Sequence, residues 1–139
     1  IDAFLNYSYT KATFETDVLL FSGQVKKGDE FPLVPHHRVS AGVNLFPVKG
    51  LTLSLMGSYV GSQYLLNDEP NNSKKLDGYI VLNSKLSYDW KNITAYVAVN
   101  NLTNEKYSTF GILGGFPIEP FLIPGSATTF FTGLIIRYN

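Results

Sequence analysis

Few residues in this chain are equipped for chemistry. His36-His37 is the most tempting metal pair. Adjacent residues on a strand point to opposite faces, so the two imidazoles are badly placed to hold one ion together. They fit the polar start of a strand better. Asn67-Asp68-Glu69 sets three oxygen-bearing side chains in a row, without the alternating spacing of a calcium loop, and suits a structural loop. Gly111-Ile112-Leu113-Gly114-Gly115 is glycine-rich, but neither a helix nor a Lys-Ser/Thr pair follows it. A phosphate cradle needs both, so a flexible loop is the better account. Sequons begin at Asn71, Asn92 and Asn101, and the last two lie at strand ends, where Asn serves turns. The chain contains no cysteine, which removes disulfides, thiolate metal sites and thiol nucleophiles. No Ser/His/Asp set and no carboxylate pair falls where the pattern described below would join its members. The expectation is a non-enzyme with no cofactor and no resident metal.

What could position side chains is β-structure. The 139 residues suffice for one domain. Eleven basic and 11 acidic residues cancel, which argues against a nucleic-acid partner held by phosphate neutralisation. Hydrophobic residues make up 45% and charged residues 16%, too apolar a mixture for long-range disorder. An aromatic content of 14% beside 12 glycines suits strands better than helices. No run of about 18 apolar residues exists to form a transmembrane helix. The chain opens on Ile1-Asp2-Ala3-Phe4-Leu5, already strand-like, with neither Met nor a signal peptide. A part of a longer protein is the simplest expectation.

Alternation with period two dominates. It runs through residues 1–14, about 37–46, 51–62, 78–88 and 93–102, and finally 128–139. Leu51, Leu53, Leu55, Gly57 and Tyr59 against Thr52, Ser54, Met56 and Ser58 show it clearly. The runs are twice the about 5–6 residues of an ordinary strand and match the roughly 9–11 of a tilted membrane-spanning one. Tight turns at Pro47–Gly50 and Asp89–Asn92 alternate with long connections at 15–36, 63–77 and 103–127. In an up-and-down meander all the long connections then gather at one end, as in outer-membrane barrels. Long structureless loops would be unusual in a compact soluble domain.

Alternation alone does not say which face points outward. A soluble lipid-binding barrel keeps its apolar face inside, whereas a membrane barrel turns it to the bilayer. The other face here carries Asn, Ser, Thr and scattered Lys or Arg, which suits a hydrated lumen and would be costly in a dry core. A soluble small β-barrel binding a lipid or other apolar ligand is the alternative. A complete small outer-membrane barrel or adhesin needs at least about eight strands, more than the pattern supplies.

Several segments then resemble one family. Asn100-Asn101-Leu102-Thr103-Asn104-Glu105-Lys106-Tyr107 resembles the N-N-L-[FT]-[DN]-x-x-Y segment near the end of TonB-dependent outer-membrane receptors. Val34-Pro35-His36-His37-Arg38, with Gly42, is similar to that family's V-P-x-H-[RK]-x-x-x-G strand opening. Tyr59-Val60-Gly61-Ser62-Gln63-Tyr64, followed by Asn67-Asp68, is similar to its Y-x-G-x-Q-Y-x-x-N-D strand end. Leu76-Asp77-Gly78-Tyr79 resembles L-P-G-Y, and Pro124-Gly125 with Phe130, Gly133 and Leu134 resembles the last strand. Two departures stand out. Ser126-Ala127 replaces the usual arginine after Pro-Gly, and the chain ends Arg137-Tyr138-Asn139 where the family usually ends on an aromatic residue.

The resemblance implies an all-β fold: an antiparallel up-and-down meander of six long strands, the C-terminal segment of a roughly 22-stranded transmembrane β-barrel. It implies an outer-membrane location in a Gram-negative bacterium. The activity implied is TonB-dependent uptake of a ferric siderophore, cobalamin or a similar scarce nutrient. The plug and the TonB-contacting segment belong to an N-terminal region outside this chain. Tyr64, Tyr107, Phe110 and Phe116 are the candidate cargo contacts, and Tyr9, Tyr59, Tyr88 and Tyr138 the candidate membrane-interface aromatics. The isolated chain is expected to bind no cargo tightly. Its first and last strands would be open edges, which invite pairing. A second copy could pair with them, or two copies could exchange strands. Alternatively the chain could curl into a small barrel with Leu53, Leu55, Ile80, Leu82, Val97, Leu134 and Ile136 inside and Asn44, Ser54, Asn83 and Lys85 outside.

Overall fold

Alternating apolar and polar side chains are compatible with extended backbone whose two faces meet different surroundings, and the chain folds accordingly. The computed structural model describes residues 1–138. In chain order the strands are β1 (Asp2–Tyr9), β2 (Val18–Leu20), β3 (Gly23–Val25), β4 (His37–Leu45), β5 (Leu51–Val60), β6 (Tyr79–Trp90), β7 (Ile93–Asn100), β8 (Ser108–Gly114), β9 (Glu119–Pro124) and β10 (Thr129–Ile136). Six of them form one sheet in the order β1-β4-β5-β6-β7-β10, every neighbouring pair antiparallel. β2–β3 and β8–β9 are separate two-stranded hairpins. No helix is present among the described residues.

The register keeps the two faces separate across the sheet, one mostly aliphatic and the other mixed polar and aromatic. One row across the sheet runs Ala3, Val43, Leu55, Ser84, Val99 and Phe130; the next row, on the opposite face, runs Asp2, Asn44, Ser54, Lys85, Ala98 and Phe131. Where glycine leaves a gap on the polar face, the aromatic residue directly opposite covers it. Phe4 lies over Gly42 and Tyr96 over Gly133, with the Lys85 ammonium 4.6 Å from the Tyr96 ring. At the short-turn end, Gly50 takes φ +83°, and a Cβ there would stand 2.6 Å from the Asp89 carbonyl oxygen. The turn therefore needs glycine at this position. Across the same end, the Thr94 hydroxyl donates to the Asp89 carboxylate, and Arg137 donates to Thr94 Oγ1 at 3.1 Å.

The wall has no second layer. A sheet with one apolar face ordinarily buries it against another element, yet Leu55, Ile80, Leu82, Val97, Leu134 and Ile136 are all exposed, Leu134 by 70%. The buried apolar residues among those described, Val25, Leu65 and Leu76, all lie at the long-connection end.

Three expectations are corrected. The chain does not curl shut: β1 and β10 remain separate edges of an open sheet. A barrel of about eight strands has an interior just filled by its side chains, and six would leave too little room for so many leucines and isoleucines. The alternation over residues 1–14 yields a strand only to Tyr9, because Thr13 leaves the wall to bridge Glu30. The glycine-rich stretch is not a flexible loop, since Gly111 and Gly114 are part of β8. The connections at 15–36 and 103–127 thus carry hairpins of their own.

If the exposed apolar face meets lipid, charge at mid-strand is penalised on that face alone. In the full-length protein folded into lipid vesicles, Leu55→Arg should lower the unfolding free energy by roughly 2–4 kcal/mol. Ser58→Arg, on the polar face, should cost less than about 1 kcal/mol. Denaturant titration followed by tryptophan fluorescence measures both.

Candidate functional site at the long-connection end

A tight turn in the 63–77 connection organises this end. Asp68 is buried, and its carboxylate accepts the backbone N–H groups of Asn72 (2.9 Å) and Ser73 (3.1 Å). That cap presents Asn71 in the left-handed region, φ 56°, a conformation asparagine tolerates better than most residues. The Asn71 side chain accepts the Glu30 N–H at 2.6 Å and donates to the Glu30 carbonyl at 2.9 Å. The Glu30 carboxylate in turn receives Lys75 Nζ at 2.7 Å, with His36 Nε2 3.4 Å away. On its other flank the same connection joins the β8–β9 hairpin. Leu66 N–H donates to the Gly111 carbonyl, and Leu113 N–H donates to the Leu66 carbonyl, each at 2.9 Å.

Asn101 fixes where that hairpin leaves the wall. It is 2% exposed, with φ 51°. Its side-chain amide donates to the carbonyls of Glu105 and Ser126 (both 2.9 Å), and its side-chain oxygen accepts the Glu105 N–H at 2.8 Å. Its backbone N–H donates to Asn83 Oδ1 at 2.9 Å, and its carbonyl accepts the Thr128 hydroxyl at 2.8 Å. A single buried amide thus ties β6, the 101–105 turn and the segment entering β10. Such a fully satisfied buried group rigidifies its surroundings.

The four candidate contact aromatics are not gathered into one site. Tyr107 packs against Tyr79 with the rings tilted by 33° and their centres 4.3 Å apart, and lines a cleft of about 720 Å³ with Asp77, Lys106, Leu122 and Pro124. Phe116 stands fully exposed at the β8–β9 tip and lines a different cleft of about 670 Å³, shared with Phe21, Glu69 and Ile118. Tyr64 sits under Lys75 Nζ, 4.4 Å from its ring centre, and Phe110 is half-buried within β8. Sequence reasoning missed Tyr79 and Lys75. The parity of β6 would have found Tyr79, because it puts that residue on the polar face beside the Tyr107 connection. His36 and His37 diverge: His36 faces Glu30, while His37 Nδ1 is 3.0 Å from the Tyr7 hydroxyl. Tyr9 and Tyr59 stand at the long-connection end of the apolar face, with Tyr88, Tyr138 and the unanticipated Trp90 at the short-turn end; all are exposed.

Known proteins share this architecture. A family profile described as "TonB dependent receptor-like, beta-barrel" matches residues 1–102. The chain is 34% identical over 122 residues to the ferrichrome outer membrane transporter/phage receptor of Escherichia coli K12, a match covering 80% of this chain and 15% of that protein. Two solved structures superpose on 98% of the chain. The ferric-catecholate import receptor Fiu of E. coli K12 does so with a TM-score of 0.76, 19% identity and 18% of its own length covered. The siderophore receptor PiuA of Acinetobacter baumannii gives a TM-score of 0.77, 16% identity and 19% of its length covered. The ferric yersiniabactin uptake receptor FyuA of Yersinia pestis covers 84% of this chain and 18% of its own, with a TM-score of 0.67 and 21% identity.

The Asn101 network predicts a local effect. Asn101→Ala should remove the three side-chain hydrogen bonds to Glu105 and Ser126, at about 0.5–1.5 kcal/mol for each bond lost. Limited proteolysis of the full-length protein should then cut within residues 102–127 while β4–β6 stay intact.

Proposed function

The chain belongs to the TonB-dependent receptor β-barrel family, and from that premise we propose that it forms the C-terminal wall of an outer-membrane transporter for a ferric siderophore. The observation that carries this reading is the two-faced wall: six long antiparallel strands, an uncovered apolar face, a polar face, and every long connection at one end. Lipid satisfies the first face and a hydrated lumen the second. A soluble lipid-binding barrel would close its apolar face into an interior, whereas this sheet stays open, and family membership sets that reading aside.

The chain spans about 15% of the length of the curated relative it matches, so transport itself belongs to the larger protein. A plug and a TonB-contacting segment from the N-terminal region would complete it. Iron chelates are favoured over cobalamin because the relatives' names specify ferrichrome, ferric-catecholate and ferric yersiniabactin. The Tyr79–Tyr107 pair belongs to the mouth of the lumen, and Phe116 to a tip beyond it. Tyr64 and Phe110 are placed to shape that mouth rather than to reach a cargo freely.

The aromatics fit two interfacial girdles. Ile80, opposite Tyr59, and Tyr88 are eight residues apart on β6, roughly 27 Å along an extended strand. At a tilt of about 40° this becomes roughly 20 Å, close to the about 25 Å apolar band of such barrels. Tyr9 and Tyr59 then mark the outer interface, and Tyr88, Trp90 and Tyr138 the periplasmic one.

Uptake of radioiron-labelled siderophores by Gram-negative cells that lack their own receptors and carry the full-length gene tests the proposal. Saturable uptake that disappears without TonB is expected. Uptake of cobalamin alone, or no dependence on TonB, would contradict it. Tyr107→Ala should raise the half-saturating concentration by roughly two- to tenfold, the equivalent of losing one aromatic contact.

A further inference from the structure

Three segments far apart in sequence share one hydrogen-bonded layer above the wall. The 15–36 segment meets 63–77 through the Glu30–Asn71 backbone pairing, the Lys75–Glu30 ion pair and a bond from the Leu33 N–H to the Tyr64 carbonyl at 2.9 Å. The 63–77 segment meets β8 through the parallel bridge of Leu66 with Ile112, and Asn67 Nδ2 donates to the Leu113 carbonyl at 3.0 Å. Leu65, almost fully buried, occupies the space that the missing side chain of Gly111 leaves free. The middle segment is therefore bonded on both flanks.

We propose that Glu30, Asn71 and Lys75 form a latch that couples these three segments, so that they gain and lose order as one unit. That they lie at the outer mouth rests on the function proposed above. The Glu30–Lys75 pair differs from ordinary surface ion pairs, which contribute little. Its side chains are only 24% and 32% exposed, and the Lys75 ammonium also lies over the Tyr64 ring. Glu30 is fixed through its backbone and its carboxylate at once, so it cannot leave without releasing both Asn71 and Lys75. Loss of the latch leaves a half-buried ammonium and a capped turn without their partners. The strain passes through the 63–77 turn to Leu66 and thence to β8, which Glu30 does not touch.

Amide hydrogen exchange on the full-length receptor in lipid nanodiscs tests this. Glu30→Gln should accelerate exchange by a shared factor of about ten, as expected for losing a charge-assisted bond, in residues 15–36, in 63–77 and along β8, while β4–β7 keep their protection. Lys75→Met, which retains the stem over Tyr64 and removes the charge, should give the same shared pattern. Acceleration confined to the segment bearing the substitution, in either variant, would overturn the latch. The location of the three segments is read separately, by labelling the exposed Lys26 and Lys27 on intact cells with a membrane-impermeant amine reagent. Absence of label would refute the outward placement and leave the coupled exchange as an independent result.

Discussion

The core of a bilayer offers no hydrogen-bond partner, so every backbone group that enters it must be satisfied by a neighbouring strand. The rest of this structure follows from that constraint. Strands must be long enough to cross, adjacent strands must pair along their whole length, and the side chains must divide between lipid and lumen. The wall follows this pattern: neighbouring strands of the main sheet pair antiparallel, β6 alone running past β7 at Tyr79–Asn83, and the register holds the two faces apart. The outer edges of β1 and β10 are the longest stretches where the constraint is unmet within this chain. The remaining wall of a much longer receptor is what would pair them.

Beyond the membrane the same chain solves a different problem. Water is available there, and the long connections gain order from a small core and from polar caps. Val25, Leu65 and Leu76 supply the apolar part, while Asp68 and Asn101 supply buried groups whose hydrogen bonds are satisfied. Each cap acts where the chain reverses, and each holds a turn that hydrophobic burial alone would leave loose. Apolar burial is thus concentrated at one end, while the transmembrane wall relies on its surroundings as solvent.

The wall was legible in the sequence because period two is a local signal, and its phase survives across turns of known length. Its boundaries were less legible. Residues 11–14 continue the alternation, but the pairing of Thr13 with Glu30 takes them away from β4. The β2–β3 hairpin has strands of three residues, too short for any pattern to register. In β8 and β9, Gly111, Gly114, Pro120 and Pro124 break the alternation, and the pairing is set by contacts with Leu65 and Leu66. The Glu30–Asn71 and Glu30–Lys75 contacts join residues 41 and 45 positions apart, and nothing local announces them. Tyr64 and Tyr107 could be picked as loop aromatics by type. Their partners Lys75 and Tyr79 come from the folded register.

The central claim is that one face of this sheet meets lipid and the other meets water. It is tested most directly by single cysteines placed at successive positions of β6 from Ile80 to Tyr88, in the full-length receptor in vesicles, each carrying a nitroxide. Relaxation by oxygen, which concentrates in lipid, is compared with relaxation by a water-soluble nickel chelate. The account predicts strict alternation: oxygen dominates at Ile80, Leu82, Ser84, Leu86 and Tyr88, and the chelate at Val81, Asn83, Lys85 and Ser87. Uniform access along the strand, or alternation in the opposite phase, would contradict it.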